Sequence, residues 1–386
     1  MHVFPKIVLL VETSREFGRG ILDGIAKYSR INGPWSFFRY PPYYLQPDDW
    51  KRVLSWLRGL RADGVVMRAN QHVRDVVKLE LPMIVLDVNE EIPGIANIVT
   101  NETAIGRMAA NHLIELGFKR FGFCGFEDVL WSRKRCKSFC RTVRSSGYDC
   151  HMFQQPKPRT PRSGEKEQRS IRRWLESLPK PVGLMACNDD CAQHVLETCK
   201  LSELKVPEQI AITGADNDRL VCELADPPLS SIALNTQKAG YEAARLMAKM
   251  LANKKIIASR ITVHPTHVVK RRSTDVFAVN DNVVASAINY INQHANRVVS
   301  VEDVAAAVGL SRRMLHNRFK QAIGRSIHDE ITRVRIQQVI RMLVETNMTV
   351  TEIALAMGYS GPEKLIRYFQ RETGATPLAY RKNIKN

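Results

Sequence analysis

The sequence predicts an α/β domain built on parallel sheets, followed by an all-α domain with two helix-turn-helix units. Up to about residue 275, short β-branched apolar runs alternate with amphipathic helical patterns, which is typical of βαβ units. Beyond that point only helical periodicity remains, and one helix-turn-helix pattern occurs twice. A chain of 386 residues also exceeds the size at which one hydrophobic core keeps growing. We therefore predict two domains, 1–276 and 277–386, with the boundary near Phe277.

Six continuous apolar runs predict strands that are buried on both faces, as parallel strands are. They are Lys6–Val11, Gly64–Met67, Met83–Leu86, Phe121–Cys124, Gly183–Ala186 and Ile210–Gly214. Amphipathic stretches predict helices, most of which end at Gly, Pro or Asn within a few residues. These are Gly20–Arg30, Trp50–Leu60, Glu102–Leu116, Lys134–Ser145, Glu165–Leu178, Asp189–Cys199 and Thr236–Leu251. The segment Tyr148–Gly164, with prolines among basic residues, predicts a surface loop.

A helix-turn-helix pattern begins at Val301. Ala and Val occupy the positions that must pack closely on one helix face. Gly309 follows where the chain needs a positive φ, and Ser311 is placed to cap the next helix. This segment therefore predicts a first DNA-binding unit.

The same pattern returns fifty residues downstream, over 350–360. Gly358 and Ser360 take the places of the earlier Gly and of the capping Ser. Each copy is followed by an apolar anchor, Phe319 in the first and Phe369 in the second. The spaced pair indicates two related units rather than two ordinary helical hairpins.

The second pattern also carries a resemblance to a known family. From Met357 to Arg381 the sequence matches the signature of AraC-family regulators nearly throughout, and the resemblance covers about Asp281–Arg381. Leu365 departs from the Phe that is usual there. Pro362 stands in the first turn of the second recognition helix, where its missing N–H is tolerated. The resemblance implies sequence-specific binding to double-stranded DNA.

The helix that joins the two units, about Ile327–Val344, would be about 27 Å long. That length can hold two recognition helices in successive major grooves, about 34 Å apart. Outward-facing side chains are candidates for reading bases because Arg can bind guanine, Asn adenine and Glu cytosine. They are Arg312, Arg313, His316, Asn317, Glu363, Lys364 and Arg367. Among the arginines, Arg312 and Arg318 are the candidates for phosphate contacts.

Composition and motifs limit the classes of function. Lys and Arg total 57 against 39 Asp and Glu, and this formal charge of +18 favours partners that carry phosphate. No apolar run approaches the roughly 20 residues of a membrane span, and no signal-peptide pattern precedes the first strand. We expect a cytoplasmic protein without membrane contact, and no cofactor.

The eight cysteines all lie in the first 230 residues, and none forms a C-x-x-C pair. We therefore expect no bound metal. Cys136 and Cys140, like Cys187 and Cys191, have helical spacing on apolar segments, which suits buried thiols in a reducing compartment. We predict that these four cysteines are free thiols.

The α/β part resembles the ligand-binding core of LacI/GalR repressors and periplasmic sugar-binding proteins, most visibly over 183–189, 210–217 and 265–274. The resemblance implies two sheet lobes with a ligand cleft between them. LacI-type repressors carry their DNA-binding helices before this domain, whereas here that part comes last. This order matches the xylose-operon activators of the AraC family. The similarity to them extends over nearly the whole chain, including Trp131 and Arg135, and implies a pentose ligand, with xylose first. The segment Glu12-Thr13-Ser14 departs from their pattern.

Five residues are the candidates for ligand contact. Arg135, four residues before a Phe, occupies the position of the family's ligand-binding Arg. Asn188 follows a predicted strand, and Asp216 lies in a Gly-x-Asp turn. Trp131 and Phe17 can stack on the apolar face of a sugar. The alternatives are a cap or turn role for Asn188 and ordinary packing for the two aromatic residues.

These observations predict a DNA-binding transcription activator. Its activity would be controlled by a sugar that binds between the lobes. The expected partners are operator DNA, the sugar, RNA polymerase and a second copy of the chain in a homodimer. One alternative is a regulator whose first domain binds no ligand and serves as a dimerisation or partner-binding module. An enzyme is the other, but the sequence lacks the Walker, G-x-G-x-x-G, G-x-S-x-G and H-E-x-x-H patterns.

Overall fold

The computed structural model describes residues 4–39, 50–86, 91–155, 164–253, 257–276 and 281–385. Two six-stranded sheets form an α/β part, which precedes an all-helical part. The last element of the α/β part is a short 3-10 helix, Arg272–Thr274, and the next helix begins at Asn282. Phe277, at the predicted domain boundary, lies outside the described residues. The predicted fold class, α/β followed by all-α, is confirmed.

The first lobe is built on an all-parallel sheet. Its strands are β1 (Lys6–Leu10), β2 (Ser36–Phe38), β3 (Gly64–Arg68), β4 (Met83–Leu86), β5 (Ala96–Thr100) and β11 (Ser259–Val263). Their order across the sheet is β11-β5-β4-β3-β1-β2. Two apolar clusters cover its faces. The helices that contribute to them are α1 (Glu16–Asn32), α2 (Trp50–Leu60), α3 (Val73–Val77) and α9 (Thr236–Asn253).

The second lobe has a sheet that is parallel except at one edge. Its strands are β6 (Phe121–Phe126), β7 (Cys150–Gln155), β8 (Val182–Ala186), β9 (Ile210–Ala215), β10 (Ser230–Leu234) and β12 (Pro265–Val269). The order is β12-β10-β9-β8-β6-β7, and β12 runs antiparallel to β10. The accompanying helices are α4 (Glu102–Glu115), α5 (Leu130–Ser145), α6 (Gly164–Ser177), α7 (Asp189–Leu201) and α8 (Arg219–Leu224).

All six predicted strands and all seven predicted helices of the α/β part are present, with small shifts at their ends. The strands that the sequence did not predict are mostly edge strands, β2, β7, β11 and β12, which lack a continuous apolar run. The predicted loop Tyr148–Gly164 is wrong over Cys150–Gln155, because β7 pairs with β6 there. Within that loop, 156–163 lies outside the described residues.

The chain crosses between the lobes after β5, after β10 and after β11. Asn101, Asn235 and His264 occupy these crossings. The N–H of Asn235 donates to the carbonyl of His264 at 3.0 Å, and the N–H of His264 donates to Asn235 Oδ1 at 2.6 Å. The N–H of Asn101 donates to the carbonyl of Val263 at 2.8 Å. The crossings are therefore bonded to one another and form one hinge.

The helical part contains the two predicted helix-turn-helix units. Its helices are α10 (Asn282–Gln293), α11 (Val301–Ala307), α12 (Arg312–Ile323), α13 (Ile327–Glu345), α14 (Val350–Ala356), α15 (Pro362–Thr373) and α16 (Pro377–Lys385). Gly309 and Gly358, in the turns, adopt φ angles of 67° and 74°, a region that favours glycine. We call the parts around these turns the first and second unit; each has its own apolar core.

The caps of the two recognition helices differ. Ser311 caps α12 as predicted, because its Oγ accepts from the N–H of Met314 at 3.3 Å. The predicted cap by Ser360 is wrong, since Gly361 holds the N-cap position of α15 and Pro362 begins the helix. Pro at the first helical position has no N–H that needs a cap. The second recognition helix therefore begins one residue later than in the first unit.

The cysteines follow the prediction only in part. A disulfide joins Cys140, on α5, to Cys150, at the start of β7, with a Cα–Cα distance of 5.5 Å. The turn after α5 and the pairing of β7 with β6 bring these residues together, which helical spacing could not reveal. The other six cysteines are buried thiols outside this disulfide.

Among the helices of the described ranges, none is both long and apolar enough to cross a membrane.

Candidate effector cleft and nucleic-acid interface

A cavity of about 310 Å³ lies between the two lobes, where carboxyl ends of strands from both sheets face each other. In α/β proteins this is where ligands bind. The structure brings all five predicted ligand-contact residues into its lining: Phe17, Trp131, Arg135, Asn188 and Asp216. We call this cavity the effector cleft.

Arg135 is the centre of the polar lining and is only 4 % exposed. Its Nε donates to Glu102 Oε2 at 2.5 Å, and its Nη2 donates to Asp216 Oδ1 at 3.1 Å. Its Nη1 donates to the carbonyl of Cys187 at 2.6 Å. Burial alone would lower the pKa of this guanidinium, but the carboxylates of Asp216 and Glu102 raise it above the usual range. Arg135 therefore stays charged and holds two carboxylates in place.

The pairing of Arg135 with Glu102 depends on the close packing of α4 against α5. A Cβ at Gly106 would lie 2.4 Å from the carbonyl oxygen of Arg135 and 2.8 Å from the N of Phe139. Only glycine therefore lets the two helices approach so closely. That approach places Glu102, the first residue of α4, at the effector cleft.

Asn188 has the cap role that was the alternative to ligand contact. Its Oδ1 accepts from the N–H of Cys191 at 3.0 Å and caps α7. The side chain also lines the effector cleft, so its nitrogen is the group that suits a ligand. The capped turn gives this amide a fixed direction.

Two carboxyl groups at neighbouring strand ends have different environments: Asp216 lies in the turn after β9, and Asp189 begins α7 after β8. Asp216 has a φ of 98° and lines the effector cleft beside Arg135. Asp189 is buried, and it accepts from Ser231 Oγ at 2.5 Å and from the N–H of Asp218 at 2.7 Å. Burial, with Asp216 nearby, raises the pKa of Asp189 well above its ordinary value.

The two aromatic residues come from opposite lobes. Trp131 lies under the guanidinium of Arg135, at 4.9 Å from Cζ to the ring centroid, and meets the edge of Phe126 at 6.4 Å. Phe17, on α1, is half-buried against the first-lobe core. Both rings combine packing with exposure to the effector cleft, so the two interpretations of these residues are compatible.

Several charged residues of the lining were not among the sequence candidates. They are Glu12, Arg15, Glu16, Arg68, Glu102, Asp189, Asp190 and Asp218. Most of them follow the end of a parallel strand or begin the next helix. Applied to every strand, the strand-end rule would have found these residues.

Some of these side chains connect the lobes directly. Arg15 Nε donates to Asp190 Oδ2 at 2.7 Å across the cleft. Asp218 Oδ2 accepts from the N–H of Glu16 at 2.8 Å, and Asp218 Oδ1 accepts from Arg19 Nη2 at 3.0 Å. The two lobes are therefore bridged at the mouth of the effector cleft in this structure.

The recognition helices of the two units expose the predicted base-reading side chains. Leu315, Phe319, Leu365 and Phe369 are fully buried, as predicted. The seven candidates on α12 and α15 are exposed: Arg312, Arg313, His316, Asn317, Glu363, Lys364 and Arg367. Two basic residues of α12 also form ion pairs, Arg312 with Glu302 at 2.7 Å and Arg318 with Asp281 at 2.7 Å.

The helical part docks on the second lobe through α13. Glu115, at the C-terminal end of α4, accepts from Arg333 Nη1 at 3.0 Å and from Gln337 Nε2 at 3.2 Å. Its carbonyl accepts from Arg325 Nη2 at 2.9 Å. Both arginines also pair with Glu330, which is fully buried. We call this group the interdomain charge cluster.

A second contact between the parts lies just after the hinge. His267 Nε2, on β12, is 3.4 Å from Glu345 Oε1 on α13. The hydroxyl of Tyr380, on α16, donates to the carbonyl of Thr266 at 3.5 Å. A movement at the hinge residue His264 would therefore reach the helical part within three residues.

Known proteins match both parts of the chain. A family model described as a periplasmic binding protein-like domain matches residues 110–274, and a helix-turn-helix domain model matches residues 304–383. The xylose operon regulatory protein of Escherichia coli K12 is 29 % identical over 97 % of this chain and 96 % of its own length. That of Haemophilus influenzae is 28 % identical over 98 % of this chain and 99 % of its own.

A solved structure described as the xylose-binding transcription activator xylR aligns over 100 % of both chains, with a TM-score of 0.62 and 27 % identity. These relatives are transcription regulators and not enzymes, in agreement with the prediction that the chain is no enzyme. The chain joins a periplasmic-binding-protein-like domain to an AraC-type helix-turn-helix domain and is a DNA-binding transcription regulator of that architecture.

Proposed function

We propose that this protein is a transcription activator whose activity is controlled by a neutral sugar bound in the effector cleft. One observation carries the proposal: a single helix, α4, begins at the effector cleft with Glu102 and ends in the interdomain charge cluster with Glu115. A ligand that changes the Arg135–Glu102 pair therefore acts on an element that also contacts the DNA-binding part. The proposed domains are 1–276 for sensing and 277–386 for DNA binding.

The chemistry of the effector cleft favours a neutral ligand. Its lining has seven carboxyl side chains and three guanidinium groups, so a phosphorylated sugar would meet repulsion. Fixed carboxylates accept hydrogen bonds from sugar hydroxyls, and Arg135 and Asn188 supply donors. Trp131 and Phe17 offer apolar surfaces. The names of the two relatives make a pentose, xylose, the first candidate.

On the DNA side, Arg313, His316 and Asn317 of α12 would read one major-groove segment. Glu363, Lys364 and Arg367 of α15 would read the next. Arg312 and Arg318 would bind phosphate, in exchange for their carboxylate partners. Met314, 54 % exposed on α12, adds an apolar side chain that suits a thymine methyl group.

The gating step would act through the hinge and α4 together. A sugar that binds both lobes stabilises one hinge angle more than others, and only such differential affinity can shift the equilibrium. The resulting movement of α4 and β12 would change how the recognition helices of two subunits meet the operator. We propose contact with RNA polymerase, because the solved structure is described as that of a transcription activator. We also propose a homodimer and a cytoplasmic location.

A ligand-free sensor is the second candidate, and one observation favours it. Arg135, Asp189 and Asp218 already form hydrogen bonds with protein partners, and Arg15 with Asp190 bridges the lobes. In that case the first domain would serve dimerisation or bind a partner protein.

Isothermal titration calorimetry of the full chain with D-xylose, D-ribose, D-glucose and D-xylose 5-phosphate tests the choice. We expect binding of an unphosphorylated pentose that Arg135→Ala abolishes. Arg144→Ala is the matched control, because Arg144 is exposed on the same helix. Binding of the phosphate alone would refute the neutral-sugar assignment, and no binding of any sugar would favour the ligand-free module.

A further inference from the structure

Arg335 lies at the middle of α13, where the cores of the two units meet. Just before it, α13 contributes Ile331 and Val334 to the first-unit core. Just after it, Ile336 and Val339 join the second-unit core. The Arg335 side chain is only 5 % exposed. A charged group is thus buried at the boundary between two otherwise separate apolar cores.

The guanidinium of Arg335 contacts both units. Its Nη1 donates to the carbonyl of Arg297, in the loop between α10 and α11 of the first unit. Its Nη2 donates at 2.8 Å to the carbonyl of Met357, the C-cap of α14 in the second unit. Its Cζ lies 4.8 Å from the ring centroid of Tyr359, just beyond that turn. One planar side chain therefore bonds two backbone groups that belong to different units.

The backbones that Arg335 connects also touch each other. A Cβ at Gly358 would lie 3.6 Å from the N of Val298 and 3.7 Å from the Cα of Arg297. The turn of the second unit is therefore in contact with the loop of the first. Because the guanidinium is a rigid fork, its two hydrogen bonds define the distance and angle between these two carbonyls.

A buried charge needs compensation, and carbonyl groups at a helix C-terminus provide it. An apolar side chain of the same length would fill the space without bonding either carbonyl. Packing of the two cores therefore does not by itself require the hydrogen bonds that Arg335 makes.

Each recognition helix, α12 or α15, would read one short base sequence, which we call a box. We propose that Arg335 is a positioning residue that sets the separation of these two boxes along the DNA. This inference rests on the proposed recognition of DNA by both units. Arg335 touches no base in this role. It fixes the relative placement of two recognition helices, so that both engage only when their boxes lie at one separation along the duplex.

Selection from a random duplex DNA library with the full-length protein tests the proposal, because the selection itself reveals the preferred sites. For the wild type we expect two boxes at one fixed separation, about one helical turn or 10–10.5 base pairs. For Arg335→Met we expect the same box sequences, but with variable separation or with one box alone. The control is Arg341→Met on the same helix, whose side chain is 56 % exposed, and it should select as the wild type does.

Affinities for selected duplexes separate positioning from a general loss of structure. Simultaneous engagement of two linked modules typically raises avidity by about 10²–10⁴. We therefore expect Arg335→Met to lose about tenfold or more on the two-box duplex and less than about twofold on a single-box duplex. Arg335→Lys keeps the charge but can bond only one carbonyl well, so its spacing preference should also widen.

Three outcomes would overturn the proposal. One is a folded Arg335→Lys or Arg335→Met protein, verified by circular dichroism, that selects the wild-type separation. Another is an equal loss on single-box and two-box duplexes by both variants. If the wild type itself selects no sequence, the proposed DNA recognition fails, and the role of Arg335 fails with it.

Discussion

Glu102 and Glu115 occupy the two ends of the same helix, and each pairs with an arginine of a different site. Glu102 holds Arg135 in the effector cleft at 2.5 Å, and Glu115 binds Arg333 of the DNA-binding part at 3.0 Å. At 1.5 Å per residue, the 14 residues of α4 span about 20 Å. Helix α4 is therefore a direct physical connection between the two sites.

The first prediction concerns this connection. Glu115→Gln keeps the shape of the side chain but removes the charge that Arg333 binds. We expect sugar affinity to stay within about twofold, while most of the sugar-dependent change in DNA affinity, typically about 1–3 kcal/mol in such systems, is lost. Fluorescence anisotropy of a labelled selected duplex, with and without xylose, measures this change.

Glu197→Gln is the matched control for Glu115→Gln, because Glu197 is exposed on α7, away from the interdomain charge cluster. A Glu115→Gln protein that retains the full sugar response would show that α4 does not carry the coupling.

The second prediction concerns pH. Burial, with Lys270 and Arg333 nearby, lowers the pKa of His112 from 6.5 to about 3. Between these values the unfolded chain binds a proton that the folded protein does not, so the free energy of unfolding falls as the pH falls from 6.5 towards 3. This residue should destabilise the wild type by about 2 kcal/mol between pH 7 and pH 5.

His112→Gln removes the titrating ring and can keep the bond that joins His112 Nε2 to Thr274 Oγ1 at 3.1 Å. We expect its urea-unfolding midpoint to vary less with pH than that of the wild type. His151→Gln, on β7, is the control, because that side chain is exposed. Equal pH dependence of the wild type and His112→Gln would mean that His112 takes up a proton in the folded protein as readily as in the unfolded chain.

The third prediction separates base reading from phosphate binding. Arg313→Ala should relax specificity at one base pair by about 1–3 kcal/mol, if its fork reads guanine. Arg312→Ala, one residue earlier on α12, should instead weaken all sequences alike and reduce the salt dependence. Binding measured against a panel of single-base variants distinguishes the two patterns, and a uniform loss for Arg313→Ala would rule out its base-reading role.

The fourth prediction concerns the thiols. Because Cys140 and Cys150 are joined and the other six cysteines are thiols, the unfolded protein should take up six iodoacetamide adducts without reductant. After reduction it should take up eight, one for each cysteine of the chain. Mass spectrometry of the intact chain counts the adducts. Eight adducts without reductant would contradict the disulfide and show that Cys140 is a free thiol, as the sequence predicted.

The sequence alone was enough for the features that local physics encodes. The central strands are continuous apolar runs because both of their faces are buried, and Gly309 and Gly358 mark turns that need positive φ. The buried anchors Phe319 and Phe369, and the exposed residues between them and the turns, follow from helical periodicity. Asn188 and Asp216 reached the effector cleft because strand ends converge in α/β sheets, whereas Arg135 was identified from the family resemblance.

The tertiary structure alone decided which distant groups meet. The tertiary structure brings Arg15 into contact with Asp190, 175 residues away in the sequence. It also joins Cys140 to Cys150. Both contacts depend on the order of the strands across the sheets. The bonds of Arg335 depend on how the two units pack within the helical part, and the bond of Glu115 to Arg333 depends on how the two parts pack together. Such contacts leave no periodic trace in the sequence, because each partner alone looks like an ordinary polar residue of its own helix or loop.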